Sequence, residues 1–248
     1  MIEAQRSLGR VIGEAALFPF FTDILQIQNF SRTREHLQRG GRAVVYSNHF
    51  HRFDSEPVAK AISQYVAPLD ERTHIVVSMQ YVDEDRKENE AIVKAMGFLQ
   101  SAFRFKFLPM VQDKPEEKAR YPKWRRINKD SFDKAVAVLQ GVPGGIVYIT
   151  PEGTRSTTGA LLEAKTGFEK LLERGGDDVM VQPMALVHAQ IKPFTMRTRI
   201  IVPEPFTYDE ILTEQETSPE LTVTDLSMLK IARELPPQNR GFYAQMAA

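Results

Sequence analysis

Short apolar runs rich in β-branched residues alternate with helical patterns along this chain. Five runs have the length and composition of strands: "RAVVYS" (42–47), "HIVVSMQ" (74–80), "FKFLPMV" (105–111), "GIVYIT" (145–150) and "VMVQPMALV" (179–187). A sixth run, "RTRIIV" (197–202), has the same character. Apolar stripes at helical spacing follow Asp54 and cover 124–140 and 167–176. This alternation predicts an α/β fold with a mostly parallel central sheet flanked by helices.

The length of 248 residues fits one large domain with appendages. We divide the chain into an N-terminal apolar helical segment (1–36), an α/β domain (37–212) and a C-terminal connection with a short helix and a tail (213–248). Charged residues and a proline interrupt the first segment, so we expect it to dock on the core or to lie on a membrane surface. The stretch 200–229 is acidic and lacks Lys and Arg, and we interpret part of it as a solvated connection.

Composition excludes several kinds of chemistry. The chain has no cysteine, which rules out thiolate catalysis, disulfides and Cys-ligated zinc. Lys and Arg together number 32, as do Asp and Glu, so net charge does not indicate a polyanionic partner. We find neither a signal-peptide pattern nor an uncharged apolar run long enough to span a membrane, and we expect a cytoplasmic protein.

The stretch "YSNHFHRFD" places titratable residues directly after the first predicted strand. In open α/β sheets the carboxyl ends of the strands are where ligands bind. His49 lies in this loop and Asp54 lies just before the next helical stripe. If the loop folds back, the carboxylate of Asp54 reaches one ring nitrogen of His49 and leaves the other nitrogen free to accept a proton. The pair is therefore a candidate general base.

Two other interpretations of this loop stay open. Asp54 or Ser55 could serve as the N-cap of the following helix while His49 is an ordinary loop residue. Alternatively His49, His51 and Asp54 could bind zinc, although an extended backbone would point the two histidines to opposite sides.

A second polar loop follows the strand "GIVYIT" and reads "PEGTRSTTG". Gly153 permits close backbone approach or a positive φ. Arg155 offers a planar guanidinium that can bind a phosphate through two hydrogen bonds. An ordinary surface turn is the alternative. If both loops lie at one edge of the sheet, they bring together a base and an anion-binding group.

The motif N-H-x4-D in "NHFHRFD", followed about a hundred residues later by "PEGTRS", resembles the glycerolipid acyltransferase family, particularly the bacterial 1-acylglycerol-3-phosphate acyltransferases. The resemblance extends from about position 40 to 190. Between the motifs, "FLPMVQDK" resembles a family strand that ends in Asp-Arg, but here the pair is Asp113-Lys114. "LLEAKTGFEKLL" and "VQPMALV" resemble later family segments, and the second departs from the family around Pro183.

This resemblance implies transfer of a fatty acyl group from acyl-CoA or acyl carrier protein to a hydroxyl of 1-acylglycerol 3-phosphate, in phospholipid biosynthesis. Transfer would be direct, without a metal or organic cofactor. Separately, no nucleic-acid-binding motif is found in the sequence, so we do not expect nucleic acid as a partner. The implied roles are general base for His49 and orientation of that base for Asp54. Binding of the acceptor is implied for five residues: Lys114, Glu152, Gly153, Thr154 and Arg155.

Alternatives remain at this stage. The acceptor could be glycerol 3-phosphate, or the protein could be a non-catalytic module that binds lipid or an acyl carrier. A metal-dependent hydrolase built on His49, His51 and Asp54 is a third. The segment 104–134 contains ten basic and five acidic residues, which fits either a phosphate contact or a solvated helix face. A peripheral contact with the inner face of the membrane or another lipid surface is compatible with the cytoplasmic location.

Overall fold

The computed structural model describes residues 21–50, 54–83, 85, 93–94, 97, 100–101, 104–192 and 195–247. Its strands are β1 (Phe21–Leu25), β2 (Arg42–Ser47), β3 (Thr73–Ser78), β4 (Lys106–Met110), β5 (Ile146–Ile149), β6 (Val179–Lys192), β7 (Thr195–Ile201) and β8 (Phe206–Thr207). Its longer helices are α1 (Phe30–Gln38), α2 (Ser55–Ala61), α3 (Pro115–Arg120), α4 (Trp124–Gly141), α5 (Gly167–Gly175), α6 (Tyr208–Thr217) and α7 (Val223–Ala232). One π-helical turn, Ile62–Val66, extends α2.

The described strands form one sheet in the order β1-β7-β6-β2-β5-β3-β4, with β8 paired to β6. The pairs β1–β7, β2–β6, β2–β5, β3–β5 and β3–β4 are parallel, whereas β6 runs antiparallel to β7 and β8. The prediction of a mostly parallel sheet flanked by helices is thus confirmed. All six predicted strands are present, and the fifth continues beyond its predicted end at 187 to Lys192.

The central strand β2 is buried on both faces, as parallel strands usually are. Ala43 and Val45 face the core that contains α1 and α2, and Val44 and Tyr46 face the core that contains α4, α5 and α7. Because β2 and β5 are parallel neighbours, with Tyr46 opposite Ile149, the loops that follow them leave the sheet at the same edge.

The prediction of a helical segment over 1–36 is wrong for the described residues that precede α1. Phe21–Leu25 forms β1, which pairs in parallel with β7, and Asp23 accepts a hydrogen bond from Nε of Arg197 at 2.6 Å. The physical reason is tertiary: the free edge of β7 offers unpaired backbone groups, and a strand satisfies them. The apolar residues before Phe21 lie outside the described residues. No described helix is both long and apolar enough to cross a bilayer.

The C-terminal prediction also needs correction. The proposed boundary between 212 and 213 falls inside α6, and α7 contributes Leu226 and Leu229 to the same core as the sheet. The hydroxyl of Tyr46 donates to the backbone oxygen of Ser227 at 2.7 Å. The acidic residues predicted to be solvated partly serve as caps, since Glu210 and Asp225 complete capping boxes at the starts of the two helices.

If α7 belongs to the core, Leu229→Ala should lower the free energy of unfolding by about 2–4 kcal/mol, because the side chain is almost fully buried. Urea denaturation measures this change. Leu25→Ala, at an exposed leucine, is the matched control and should change stability by less than about 0.5 kcal/mol. Equal midpoints for both variants and the parent protein would show that α7 is an appendage.

Candidate active site

The loop after β2 is fastened to β6 by a buried asparagine. Nδ2 of Asn48 donates to the backbone oxygen of Leu186 at 2.9 Å, and the N–H of Leu186 donates to Oδ1 of Asn48 at 2.7 Å. Both ends of the amide are thus satisfied inside the protein, which fixes the direction in which the chain leaves β2.

The loop folds back so that His49 meets Asp54. Nδ1 of His49 lies 3.2 Å from Oδ2 of Asp54, and the N–H of Phe50 donates to the same oxygen at 2.6 Å. The carboxylate is fully buried, while the side chain of His49 is 18% exposed. A carboxylate only accepts hydrogen bonds, so Nδ1 carries the proton and Nε2 has a lone pair. The imidazole is thereby set up as a base whose cation the carboxylate would stabilise.

The capping interpretation of Asp54 does not fit this geometry. Asp54 occupies the N-cap position of α2, but its side chain makes no capping hydrogen bond to the helix. Its carboxylate turns instead toward the loop, because His49 and the Phe50 N–H lie there. In this arrangement the carboxylate of Asp54 binds the loop and the imidazole.

A second histidine binds the same carboxylate, and the sequence interpretation missed it. Nε2 of His188, on β6, lies 2.6 Å from Oδ1 of Asp54. The two residues are 134 positions apart, so local spacing carries no sign of the contact. The usable signal was the period-two pattern of β6, which places His188 on the same face as Leu186, the face covered by α2.

Glu152 joins the two predicted loops from inside the protein. One carboxyl oxygen accepts the N–H of His49 at 2.7 Å, and the other accepts the N–H of Leu162 at 2.8 Å. The residue is fully buried. Both oxygens are directed at backbone amides, so Glu152 can act on the site through the two loops that it connects.

Burial raises the pKa of Glu152 from 4.5 to about 8, against the opposing effect of the two N–H groups and with a further increase from the charge of Asp54. Two buried carboxyl groups near one imidazole thus have different surroundings. Asp54 receives hydrogen bonds from two histidines, whereas Glu152 receives them from two amides.

The "PEGTRS" turn lies against the histidine loop. The N–H of Ser156 donates to the backbone oxygen of His49 at 2.9 Å. Gly153 has a φ of 65°, a conformation that glycine adopts at little cost. Thr154 is half-buried and Arg155 is exposed, next to the residue that contacts the histidine loop. The two loops predicted at one sheet edge are hydrogen-bonded to each other.

Lys114 lies on a third loop, which begins after β4. It is exposed and is the N-cap residue of α3. The pKa of its neighbour Asp113 is held below the ordinary value by a hydrogen bond from Lys118 and, more weakly, by the charge of Lys165. A Cβ placed on Gly153 would lie 3.3 Å from Cγ of Lys165. Lys165, which the sequence interpretation did not single out, thus has its aliphatic stem near Gly153, and its charge acts on Asp113.

The structure does not test the zinc interpretation at His51, because that residue lies outside the described part of the chain. Among the residues that the structure does describe, no group of three His, Asp or Glu side chains is arranged to hold a metal ion.

Comparisons with known proteins show the family and the fold of the chain. Residues 30–187 match the family model described as Acyltransferase, and the chain therefore belongs to this acyltransferase family. The glycerolipid acyltransferase resemblance drawn from the two motifs is confirmed at that level. No curated protein matches the sequence at a significant level.

Among solved structures, the chain is similar to the crystal structure of PlsC from Thermotoga maritima, a 1-acyl-sn-glycerophosphate (LPA) acyltransferase. The two are 16% identical, with a TM-score of 0.50, over 90% of this chain and 75% of that one. At this identity the likeness establishes a shared fold.

The raised pKa of Glu152 predicts a pH-dependent stability. The folded protein keeps this proton up to about pH 8, whereas an unfolded glutamate loses it near 4.5. The free energy of unfolding should therefore fall as the pH rises between these values, by up to about 1.4 kcal/mol per pH unit from this group. Glu152→Gln should flatten that slope in urea titrations at several pH values. An unchanged slope in the variant would assign the pH dependence to other groups.

Proposed function

We propose that the protein transfers a fatty acyl group from acyl-CoA or acyl carrier protein to the free hydroxyl of 1-acylglycerol 3-phosphate. The observation that carries this proposal is the hydrogen bond between His49 and the buried Asp54 at the ligand-binding edge of the sheet. Membership of the acyltransferase family supports the reaction class. The choice of acceptor is supported by the motifs and by the exposed Arg155 on the turn that contacts the histidine loop.

His49 would begin the reaction as a general base. Its Nδ1–H group donates to Asp54, so Nε2 accepts the proton of the acceptor hydroxyl. The acceptor oxygen then forms a bond to the thioester carbonyl carbon. The imidazolium that results is stabilised by the adjacent carboxylate, which lies out of water and is held in place by hydrogen bonds.

The second half of the reaction releases the donor. The tetrahedral intermediate collapses, the carbon–sulfur bond breaks, and the thiolate takes the proton from Nε2 of His49. The products are an ester and a free thiol, and the base is restored. A chain without cysteine offers no thiol nucleophile, and the proposed direct transfer requires no covalent enzyme intermediate, metal or organic cofactor.

The acceptor phosphate would bind beside the histidine loop. Arg155 supplies a planar guanidinium from the turn that contacts the backbone of His49, and Lys114 supplies a second cation. Lys165, whose Cγ lies near Gly153, would add a third. Gly153 and Thr154 would shape the space between phosphate and base. Charges on one side and a base on the other would orient a phosphorylated alcohol with its hydroxyl toward His49.

The proposed substrates suggest where the enzyme works. Acyl-CoA and acyl carrier protein are soluble donors, and 1-acylglycerol 3-phosphate resides in bilayers, so we propose a cytoplasmic enzyme in peripheral contact with the inner face of the membrane or another lipid surface. Co-sedimentation with vesicles containing phosphatidate should exceed co-sedimentation with neutral vesicles and fall with added salt. If the same fraction of the protein stayed in the supernatant with both kinds of vesicle, the proposed membrane contact would be contradicted.

Replacing the base should abolish most turnover. His49→Ala should lower kcat at least about 100-fold, the usual contribution of general base catalysis, while the denaturation midpoint changes little. Thiol release and acyl-acceptor formation would be measured with 1-acylglycerol 3-phosphate, glycerol 3-phosphate and other lysophospholipids, each with acyl-CoA and with acyl carrier protein. His36→Ala, at a histidine of α1, is the matched control.

The arms of this screen separate the rival functions. We expect the highest kcat/KM with 1-acylglycerol 3-phosphate. A preference for glycerol 3-phosphate would make that compound the acceptor instead. Binding without turnover would indicate a non-catalytic module. Full turnover by His49→Ala would remove the base from the mechanism.

Removing the anion-binding group should affect one substrate only. Arg155→Ala should raise KM for 1-acylglycerol 3-phosphate about 10- to 100-fold, as expected for loss of hydrogen bonds to a charged group, and leave KM for the acyl donor within about twofold. Arg155→Lys should recover part of the loss, since an ammonium replaces the planar fork. The control is Arg125→Ala, at an exposed arginine of α4. A change confined to the donor KM would place Arg155 at the donor site instead.

A further inference from the structure

His188 lies at a position where its ring is held from both sides. It belongs to β6 and is paired across the antiparallel ladder with Thr198 of β7. Nδ1 of the ring lies 3.0 Å from Oγ1 of Thr198, which is fully buried. Nε2 lies 2.6 Å from Oδ1 of Asp54. The ring of Phe50 stands edge-on to the imidazole at a centroid distance of 6.5 Å.

These contacts define one arrangement of protons. Since the carboxylate of Asp54 only accepts, Nε2 of His188 donates to it. In the neutral ring Nδ1 then accepts, and the hydroxyl of Thr198 is its donor. The result is a chain of hydrogen bonds that runs from Thr198 through His188 and Asp54 to His49.

The two carboxylate oxygens of Asp54 accept hydrogen bonds from different parts of the protein. Oδ2 accepts from the loop, through the ring of His49 and the N–H of Phe50, while Oδ1 accepts from the sheet, through His188. A carboxylate held at only one oxygen can rotate about its bond to Cβ. Held from both sides, it presents Oδ2 to His49 in one orientation, because a hydrogen bond to a charged group is strong and directional.

We propose that His188 is a positioning residue that locks the carboxylate of Asp54 and thereby fixes His49 in the tautomer that serves as the base. This inference rests on the proposed function, in which His49 takes the acceptor proton. His188 itself does not take that proton: one ring nitrogen faces Asp54 and the other faces Thr198. The sheet, rather than the loop alone, thus sets the geometry of the base.

Two substitutions separate hydrogen bonding from shape. His188→Phe keeps a ring of similar size and removes both ring nitrogens. His188→Gln keeps a donor at about the position of Nε2 and can still bind Oδ1 of Asp54. If His188→Phe does not fold, His188→Met removes the donor with a more adaptable side chain. The control is His74→Phe, which replaces another largely buried strand histidine, on β3.

Kinetics give the first readout. His188→Phe should lower kcat about 10- to 100-fold, the range that corresponds to one hydrogen bond to a charged group, with both KM values within about twofold. His188→Gln should stay within about threefold of the parent kcat, and His74→Phe should match the parent. Parent kcat in His188→Phe, or an equal loss in His188→Gln, would overturn the proposal.

Nitrogen NMR of labelled histidines gives a second readout that needs no turnover. The His49 signals, assigned by their loss in His49→Ala, should show Nδ1 protonated in the parent protein and in His188→Gln. In His188→Phe they should move toward a mixture of tautomers, and unchanged signals would overturn the proposal. If the parent transfers no acyl group to any acceptor, the proposed function fails, and these spectra still decide whether His188 orients His49.

Discussion

A charged carboxylate removed from water is costly unless hydrogen bonds replace its hydration, and Asp54 is such a group. It is fully buried and accepts hydrogen bonds from the ring of His49, the N–H of Phe50 and the ring of His188. His49 and Phe50 belong to its own loop, and His188 belongs to β6. The buried charge thus forces the loop to fold back onto the sheet, and the position of the imidazole follows from that requirement.

The sheet supplies the rest of the arrangement. β2 and β5 are parallel neighbours, so the histidine loop and the "PEGTRS" turn start from the same edge. Two contacts between the loops then set their spacing: Glu152 accepts the N–H of His49, and His49 accepts the N–H of Ser156. Arg155 is placed relative to His49 by backbone bonds. Backbone hydrogen bonds fix the relative position of the two loops more accurately than flexible side chains alone could. This supports a site that binds one substrate at both of its ends.

The core strands and the two motifs could be predicted from the sequence, because short β-branched runs and the loops that follow them depend on local pattern. Three features escaped it for physical reasons. β1 is a strand only because the edge of β7 is available to it. The acidic residues of 200–229 indicated a solvated connection. Two pairs among the residues of this stretch are instead capping boxes at the starts of α6 and α7, namely Thr207 with Glu210 and Thr222 with Asp225. His188 meets Asp54 only in three dimensions, because the two residues are 134 positions apart in the chain.

A crystal structure with bound 1-acylglycerol 3-phosphate tests the central claim most directly. We predict the free hydroxyl at about 2.6–3.2 Å from Nε2 of His49 and the phosphate bound to the guanidinium of Arg155. A phosphate bound away from Arg155, or His49 and Arg155 on separate faces of the molecule, would contradict it.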